Sequence, residues 1–159
     1  MNVLPSQIDN KYIYYNAPVK NTVMDTGRFV RVGYSDPVVN LNGVYTSVPL
    51  TVTSTERYFN KAKYSFEYTD NIGTIDALTE LETYVLSNLG DVADLEPAYK
   101  LREQLMARNV RVYNSDMEPH STDSQRRQIH LLVKISGIWL TDSGYGLTFK
   151  FFDIARPDE

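Results

Sequence analysis

The stretch LVKISGIWLTDSGYGLTFKFF, residues 132–152, contains the only Trp of the chain together with three glycines, two lysines and three phenylalanines. Apolar residues recur at every second position on either side of TDSGYG, which is the period of two β-strands joined by a glycine-containing turn. Neither strand has a purely polar face. The pattern therefore predicts two central strands, over residues 129–140 and 147–154, that are covered on much of both sides.

The two faces of this predicted hairpin differ in chemistry. Trp139 shares the alternation of Val133 and Ile135, which predicts that its side chain lies in the core. The opposite face carries a narrow polar window made of two lysines and two hydroxyl residues, namely Lys134, Ser136, Thr148 and Lys150. We therefore expect a hairpin that is mostly packed, with a small cationic surface on one side.

The first third of the chain predicts further strands, because it is rich in tyrosine and in β-branched residues. RFVRVGY (28–34) and KAKYSFEYT (61–69) alternate, and VVNLNGVYTSVPLTVT (38–53) predicts a hairpin with a type I′ turn at Asn42-Gly43. VRVY (110–113) predicts a strand after the helices. The polar stretch 114–127 predicts a flexible loop that folding does not require.

The middle of the chain has a period of three to four residues, which is typical of amphipathic helices. One helix is predicted from an N-cap at Thr74 to Gly90, and a second over EPAYKLREQLMARN (96–109). The fold class predicted is therefore mainly β with a helical insertion at about 74–108. Strands that close on themselves would form a small barrel. With 159 residues and no linker, the chain is expected to be one domain, 1–159.

Several classes of chemistry are not expected. The chain has no cysteine and two histidines, which argues against thiol nucleophiles and metal sites. It has no phosphate-binding loop and no nucleophile elbow, and the carboxylates of Asp76, Glu80 and Glu82 follow the polar side of the predicted helix. We therefore expect neither an enzyme nor a cofactor.

The location of the protein is predicted from what the chain lacks. No apolar run approaches the roughly twenty residues of a membrane helix, and the N-terminus MNVLPSQIDNKYIYY has no secretory pattern. The absence of cysteine fits a reducing compartment. An intracellular location without membrane contact is expected.

The charge of the chain is unevenly distributed. The formal net charge is −4, which by itself argues against a nucleic-acid partner. The negative charge is concentrated in residues 65–98, which contain no Lys or Arg, while basic residues predominate over 11–63 and 100–150. Because the local field decides where an anion docks, the two basic regions remain candidates for a phosphate-binding surface.

Basic and aromatic residues that alternate on exposed strands are the ingredients of a single-stranded nucleic-acid site, where cations follow the phosphates and rings stack on the bases. Aromatic residues in strands are also typical of cores, so the same pattern is compatible with a packed interior. Arg126 and Arg127 could clamp a bound strand. The other candidate binding residues are Arg28, Arg31, Tyr58, Lys61, Lys63, Tyr64, Lys134, Tyr145 and Lys150.

The tract VKISGIWLTDSGYGLTFKF (133–151) resembles the closing strands of OB-fold single-stranded-DNA-binding proteins of large DNA viruses and related mobile elements. The preceding segments KAKYSFEY, LTELETYVL and KLREQLMARNVRVY are also similar, so the resemblance spans 61–152. It implies an OB-like five-stranded barrel with an inserted helix, nonspecific single-stranded DNA binding in replication, and a location in the cytoplasm or nucleus of a host cell. It also implies contacts with replication proteins through an acidic tail, which here has only Asp153, Asp158 and Glu159.

Two other functions fit the same composition. A β-rich virion or assembly protein would use its twelve tyrosines for contacts between proteins, because tyrosine is enriched at interfaces. An accessory domain of a replication or recombination complex would bind protein only. The acidic segment 70–96 could dock a basic partner in any of these functions.

Overall fold

The computed structural model describes residues 8–20, 27–38, 40–90, 92 and 94–153, and gives side-chain positions for all of these except 20, 58, 59 and 114–121. This part of the chain contains ten strands, two α-helices and two single-turn 3-10 helices (Asn10–Tyr12 and Tyr68–Asp70). In chain order the strands and α-helices are β1 (Ile13–Tyr15), β2 (Val19–Lys20), β3 (Arg28–Ser35), β4 (Asn40–Leu41), β5 (Val44–Val52), β6 (Ser54–Ser65), α1 (Ile72–Ser87), β7 (Glu96–Ala98), α2 (Lys100–Met106), β8 (Asn109–Asp123), β9 (Arg127–Leu140) and β10 (Gly144–Asp153).

The strands form one mixed sheet whose hydrogen-bonded path is β1-β3-β9-β10-β8-β6. β2 and β4 pair with β3, β5 pairs with β9, and β7 pairs with β10. The pairs β10–β7 and β10–β8 are parallel, and the remaining pairs are antiparallel. A mainly β fold with two inserted helices is thus confirmed, while the described ladder is open and does not reach the closure expected of a small barrel.

The core lies between one face of this sheet and the two helices. α1 contacts β5 and β10, and α2 contacts β8 and β10. The predicted alternation of β3 is confirmed, since Val30, Val32 and Tyr34 are buried while Arg31 is exposed. We call the opposite side of the sheet, to which Arg31 belongs, the outer face.

β9 contains one more residue than the segment of β10 with which it pairs. Ile135 and Gly137 lie opposite the consecutive residues Phe149 and Thr148, which leaves Ser136 without a partner on β10. An inserted residue of this kind is a β-bulge, and it reverses which side chains point to each face of the sheet.

The bulge places Trp139 on the outer face. Val133 and Ile135 are fully buried before the bulge, and Ile138 is fully buried after it. Trp139 is half-buried and lies opposite Gly146 of β10. The prediction that Trp139 shares the core alternation of Val133 and Ile135 is therefore wrong, because counting every second residue fails across an inserted one.

α1 confirms the amphipathic helix but begins two residues before the predicted cap at Thr74. The hydroxyl of Thr74 instead donates a hydrogen bond to the carbonyl oxygen of Pro49 at 2.7 Å, which fastens the start of the helix to β5. The buried residues of α1 recur at three-to-four spacing and are Ile75, Leu78, Leu81, Glu82, Val85 and Leu86.

α2 is shorter than the predicted helix because residues 96–98 form β7. Their backbone pairs in parallel with Gly144, Tyr145 and Gly146 of β10. Pro97 disfavours a helical conformation at the residue before it, which is consistent with an extended start.

Glu82 is a buried carboxylate, contrary to the solvated position predicted for it together with Asp76 and Glu80. Its side chain has 0% exposure. Its two carboxylate oxygens accept hydrogen bonds from the backbone N–H groups of Leu101 at 2.8 Å and Arg102 at 3.0 Å, in the first turn of α2. Burial raises the pKa of Glu82, and these two hydrogen bonds and the Arg102 charge only partly oppose the rise.

The predicted hairpin at Asn42-Gly43 is wrong, because the strands on either side pair elsewhere: β4 with β3 and β5 with β9. Neither residue has the positive φ that a type I′ turn requires. Gly43 instead permits a close approach between strands, since a Cβ at this position would lie 3.0 Å from the carbonyl oxygen of Ile135.

The loop predicted over 114–127 is also wrong for most of its length. β8 continues to Asp123 and pairs with β6, with Thr55 opposite Asp123 and Lys61 opposite Tyr113. Only residues 124–126 connect β8 with β9. The sequence of 114–123, NSDMEPHSTD, has no apolar alternation by which a strand can be recognised.

Gly146 is a position where no larger residue fits, because a Cβ there would lie 2.6 Å from the Trp139 ring and 2.9 Å from the carbonyl oxygen of Ala98. We expect Gly146→Ala to lower the free energy of unfolding by about 1–3 kcal/mol, as overpacking does. Urea denaturation measures this. The control is Gly73→Ala in α1, where a Cβ meets no atom within 4 Å; an equal loss of stability in both variants would contradict the steric explanation.

Candidate nucleic-acid interface

Three aromatic side chains of the outer face lie against glycines of neighbouring strands. The pairs are Tyr14 on Gly33, Phe29 on Gly137, and Trp139 on Gly146. A Cβ on any of these glycines would come within 2.6 Å of the ring that covers it. All three aromatic residues are half-buried, so each ring is held against backbone while part of it stays accessible. We call them the glycine-seated rings.

A row of tyrosines and lysines crosses five strands on the same face. Tyr45 of β5 lies opposite Lys134 of β9, which lies opposite Lys150 of β10, and Tyr113 of β8 lies opposite Lys61 of β6. Because neighbouring strands are about 4.8 Å apart, these residues span roughly 20 Å across the sheet. We call these five residues the basic row.

The ammonium groups of the basic row lie over tyrosine rings. Lys134 Nζ is 5.6 Å from the centroid of the Tyr45 ring. Tyr113 lies between two lysines, with Lys150 Nζ at 5.2 Å and Lys61 Nζ at 5.7 Å from its centroid. These distances are within the reach of cation–π attraction, which holds an ammonium group in place without neutralising its charge.

Among the side chains that the structure describes, no carboxylate is paired with the lysines of the basic row. Lys63 lies opposite Arg111 beside the basic row, and the Phe152 ring is 6.3 Å from that of Tyr113. Among the described residues, five cations of the region form no ion pair: Lys61, Lys63, Arg111, Lys134 and Lys150. Gathered positive charge without acidic partners creates a local potential that attracts anions.

Five of the predicted site residues lie on this face, and a sixth, Arg28, lies at the end of β3 on the side of its buried residues. Four lie in or beside the basic row, namely Lys61, Lys63, Lys134 and Lys150. Arg31 is exposed on the outer face opposite Gly137. Arg28 is exposed at the end of β3, opposite Leu140.

Tyr64 and Tyr145 are also predicted site residues, but their exposures of 1% and 8% place them in the core. The Tyr64 hydroxyl donates to Asp153 at 2.5 Å and accepts from Arg57 at 3.3 Å, which ties β6 to the end of β10. Burial is the main cause that raises the pKa of both phenols. Neither ring is available to stack on a base, because each points to the buried side of its strand.

Arg126 and Arg127 lie apart from the basic row. Arg127 is seven residues from Lys134 along β9, a separation of about 23 Å. Arg126 forms an ion pair with Asp70 at 2.8 Å. A clamp at these residues would therefore be separate from the lysines. Tyr58 belongs to β6, and its side chain lies outside the described residues.

Three residues in or beside the basic row are not among the site residues predicted from the sequence: Tyr45, Arg111 and Tyr113. The signal for two of them is present in VRVY (110–113), where Arg111 and Tyr113 alternate with two buried valines. Tyr45 likewise alternates with the buried residues of β5. That these side chains meet the lysines depends on strand order and register, which alternation alone does not give.

No group of three or more His, Asp or Glu side chains that could hold a metal ion occurs in the described ranges. None of the helices there has the length and apolar character needed to span a membrane. The chain matches no protein-family model, no curated protein and no solved structure.

Proposed function

We propose that the outer face of the sheet binds single-stranded DNA largely without regard to sequence, and that the protein acts in DNA replication or recombination. The observation that carries this proposal is the presence on one face of half-buried aromatic rings and of cations that have no carboxylate partner among the described residues. Single-stranded nucleic acid is bound by this combination, since cations follow the phosphates and rings stack on the bases.

The glycine-seated rings favour an unpaired strand over a duplex. Bases in a duplex stack on one another, whereas an unpaired strand can turn its base faces toward an aromatic side chain. Each base stacked on a ring contributes roughly 1–3 kcal/mol. A ring already held against a glycine loses little conformational freedom when a base packs on it, and this lowers the cost of binding.

The basic row and its neighbours account for the electrostatic part of binding. Counterion release on single strands gives a slope of about −0.7 in log affinity against log salt for each phosphate contacted. Five cations that each contact one phosphate would give a slope of about −3.5. The overall charge of −4 does not prevent this, because carboxylates distant from the row are screened by salt.

The order of strands supports an OB-like arrangement as part of this proposal. β5, β9, β10, β8 and β6 are neighbours in that order, and β5 and β6 follow each other in the chain at Thr53. The N–H of Thr53 donates to the carbonyl oxygen of Ser65 at 2.8 Å, so the end of β6 returns to the end of β5. A five-stranded, partly open barrel is the architecture of OB-folds, which bind oligonucleotides on a strand face.

We expect the protein to bind labelled oligo-dT with an affinity that falls steeply between about 50 and 200 mM salt. Fluorescence anisotropy at several salt concentrations measures the slope, and a duplex of the same length serves as the comparison. Weaker binding to the duplex at each salt concentration would agree with the role of the rings.

An affinity that does not change with salt would contradict binding through the basic row. If oligo-dT does not bind at any salt concentration while light scattering shows concentration-dependent assembly of the protein alone, the function as a structural or assembly protein would be favoured instead.

A further inference from the structure

A polar cleft of about 130 Å³ opens on the outer face where β1, β3 and the connection between β4 and β5 meet. It is lined by Tyr14, Asn16, Arg31, Val32, Gly33 and Asn42. A water molecule occupies about 30 Å³ in the liquid, and pockets for drug-sized ligands begin near 300 Å³. The cleft therefore has room for one planar ring or small group, but not for a whole cofactor.

The lining groups are positioned by the sheet. Tyr14 lies against Gly33, where a Cβ would be 2.2 Å from its ring. The backbone N–H of Asn16 donates to the carbonyl oxygen of Arg31 at 2.9 Å, which fixes the chain after β1 beside β3. Asn42 directly precedes Gly43, where a Cβ would lie 3.0 Å from the carbonyl oxygen of Ile135.

The polar side chains of the cleft are available to a ligand within the part of the chain that the structure describes. Asn16, Arg31 and Asn42 are exposed, and among the described residues their side chains form no hydrogen bond or ion pair. None of the described residues that line the cleft is a carboxylate. It therefore presents two carboxamides, a guanidinium and a tyrosine ring to an incoming ligand, and it is suited to a neutral or anionic one.

We propose that this cleft holds one purine base of the bound strand and gives the protein a purine preference at that position. A carboxamide pairs with the adenine N6 and N7 atoms through two hydrogen bonds, and a guanidinium pairs with guanine O6 and N7 in the same way. Both matches use the N7 edge that pyrimidines lack. The inference rests on the proposed function, because the base arrives as part of a strand held by the basic row.

The test uses oligo-dT of about 20 nucleotides, longer than the 4–16 that one OB-type site covers, carrying a single adenine or guanine in its 5′, central or 3′ third. We expect one placement to lower the Kd by about tenfold relative to all-dT, since a two-point base contact discriminates by about 5- to 150-fold. The ratio of the Kd for all-dT to the Kd for the purine-containing oligonucleotide should fall to about one in Asn16→Ala and in Asn42→Ala. The same result is expected for Asn42→Asp, which keeps the size of the side chain but removes the amide donor.

The control is Asn40→Ala, an exposed position of β4 outside the cleft, which should retain the wild-type ratio. Equal Kd values for every placement in the wild type would overturn the purine site alone. A ratio that persists in the Asn16 and Asn42 variants would do the same. Absence of binding to every oligonucleotide, including all-dT, would overturn the proposed function together with the site.

Discussion

Replacing Lys61, Lys134 and Lys150 together with alanine is expected to weaken oligo-dT binding by about a hundredfold at low salt. The salt slope should become shallower by about two units, because each phosphate on a single strand contributes about 0.7 to the slope and three phosphates would no longer be bound. The protein should stay folded, since the three ammonium groups make no ion pair among the described residues and the three cation–π contacts that are lost contribute about 0.5–1 kcal/mol each at exposed sites, or about 1.5–3 kcal/mol together. Anisotropy titrations and thermal melts measure the two effects.

The chain provides a charge-matched control for this variant. Lys11, Lys100 and Arg108 are exposed and already paired with Asp9, Glu103 and Glu67. Their joint replacement with alanine changes the net charge by the same amount, and we expect a loss of affinity of less than about threefold, because these sites do not contact the strand. Equal losses of affinity in the two triple variants would show that binding responds to overall charge and not to the basic row.

Glu82→Ala is expected to lower the free energy of unfolding by about 2–5 kcal/mol. The substitution leaves the N–H groups of Leu101 and Arg102 without the carboxylate oxygens that they now contact at 2.8 and 3.0 Å. Each buried donor left unsatisfied costs about 1–3 kcal/mol. Urea denaturation checks this, with Glu80→Ala on the exposed side of α1 as the control, which should stay within about 0.5 kcal/mol of the wild type.

The same residue makes stability depend on pH in a defined direction. Burial raises the pKa of Glu82 in the folded protein above its ordinary value of 4.5. At a pH between 4.5 and the raised pKa, the folded state therefore binds more protons than the unfolded state. Stability then falls as pH rises through this window. Relative to Glu82→Gln, which cannot ionise, the wild type should gain stability as pH is lowered toward 4.5, and a loss of stability over that range would contradict the assignment.

The elements with a regular apolar period could be predicted from the sequence. β3, α1 and the part of β9 that precedes the bulge have buried residues at the expected spacing. Their period reflects one buried face, and a single face can be recognised without knowing the partner. The ends of the elements are predicted less accurately, as the start of α1 before Thr74 shows.

The remaining errors have physical causes that local patterns do not carry. The bulge at Ser136 depends on pairing with β10, and it alone moves Trp139 from the predicted core to the outer face. Glu82 is buried because the first turn of α2 supplies two N–H donors from nearly twenty residues further along the chain. The lysines could be proposed as binding residues from their charge and their position in predicted strands. That Tyr45 and Tyr113 lie beside them follows only from strand order and register.

The fluorescence of Trp139 during a titration with unlabelled oligo-dT tests the central claim most directly. Trp139 is the only Trp of the chain, and its half-buried ring lies on the outer face against Gly146. We expect its emission to be quenched in a saturable manner as bases stack near the ring, and the emission to recover when salt is raised and the strand dissociates. Emission that stays constant while anisotropy shows the oligonucleotide to be bound would place the strand elsewhere and contradict the outer face as the binding surface.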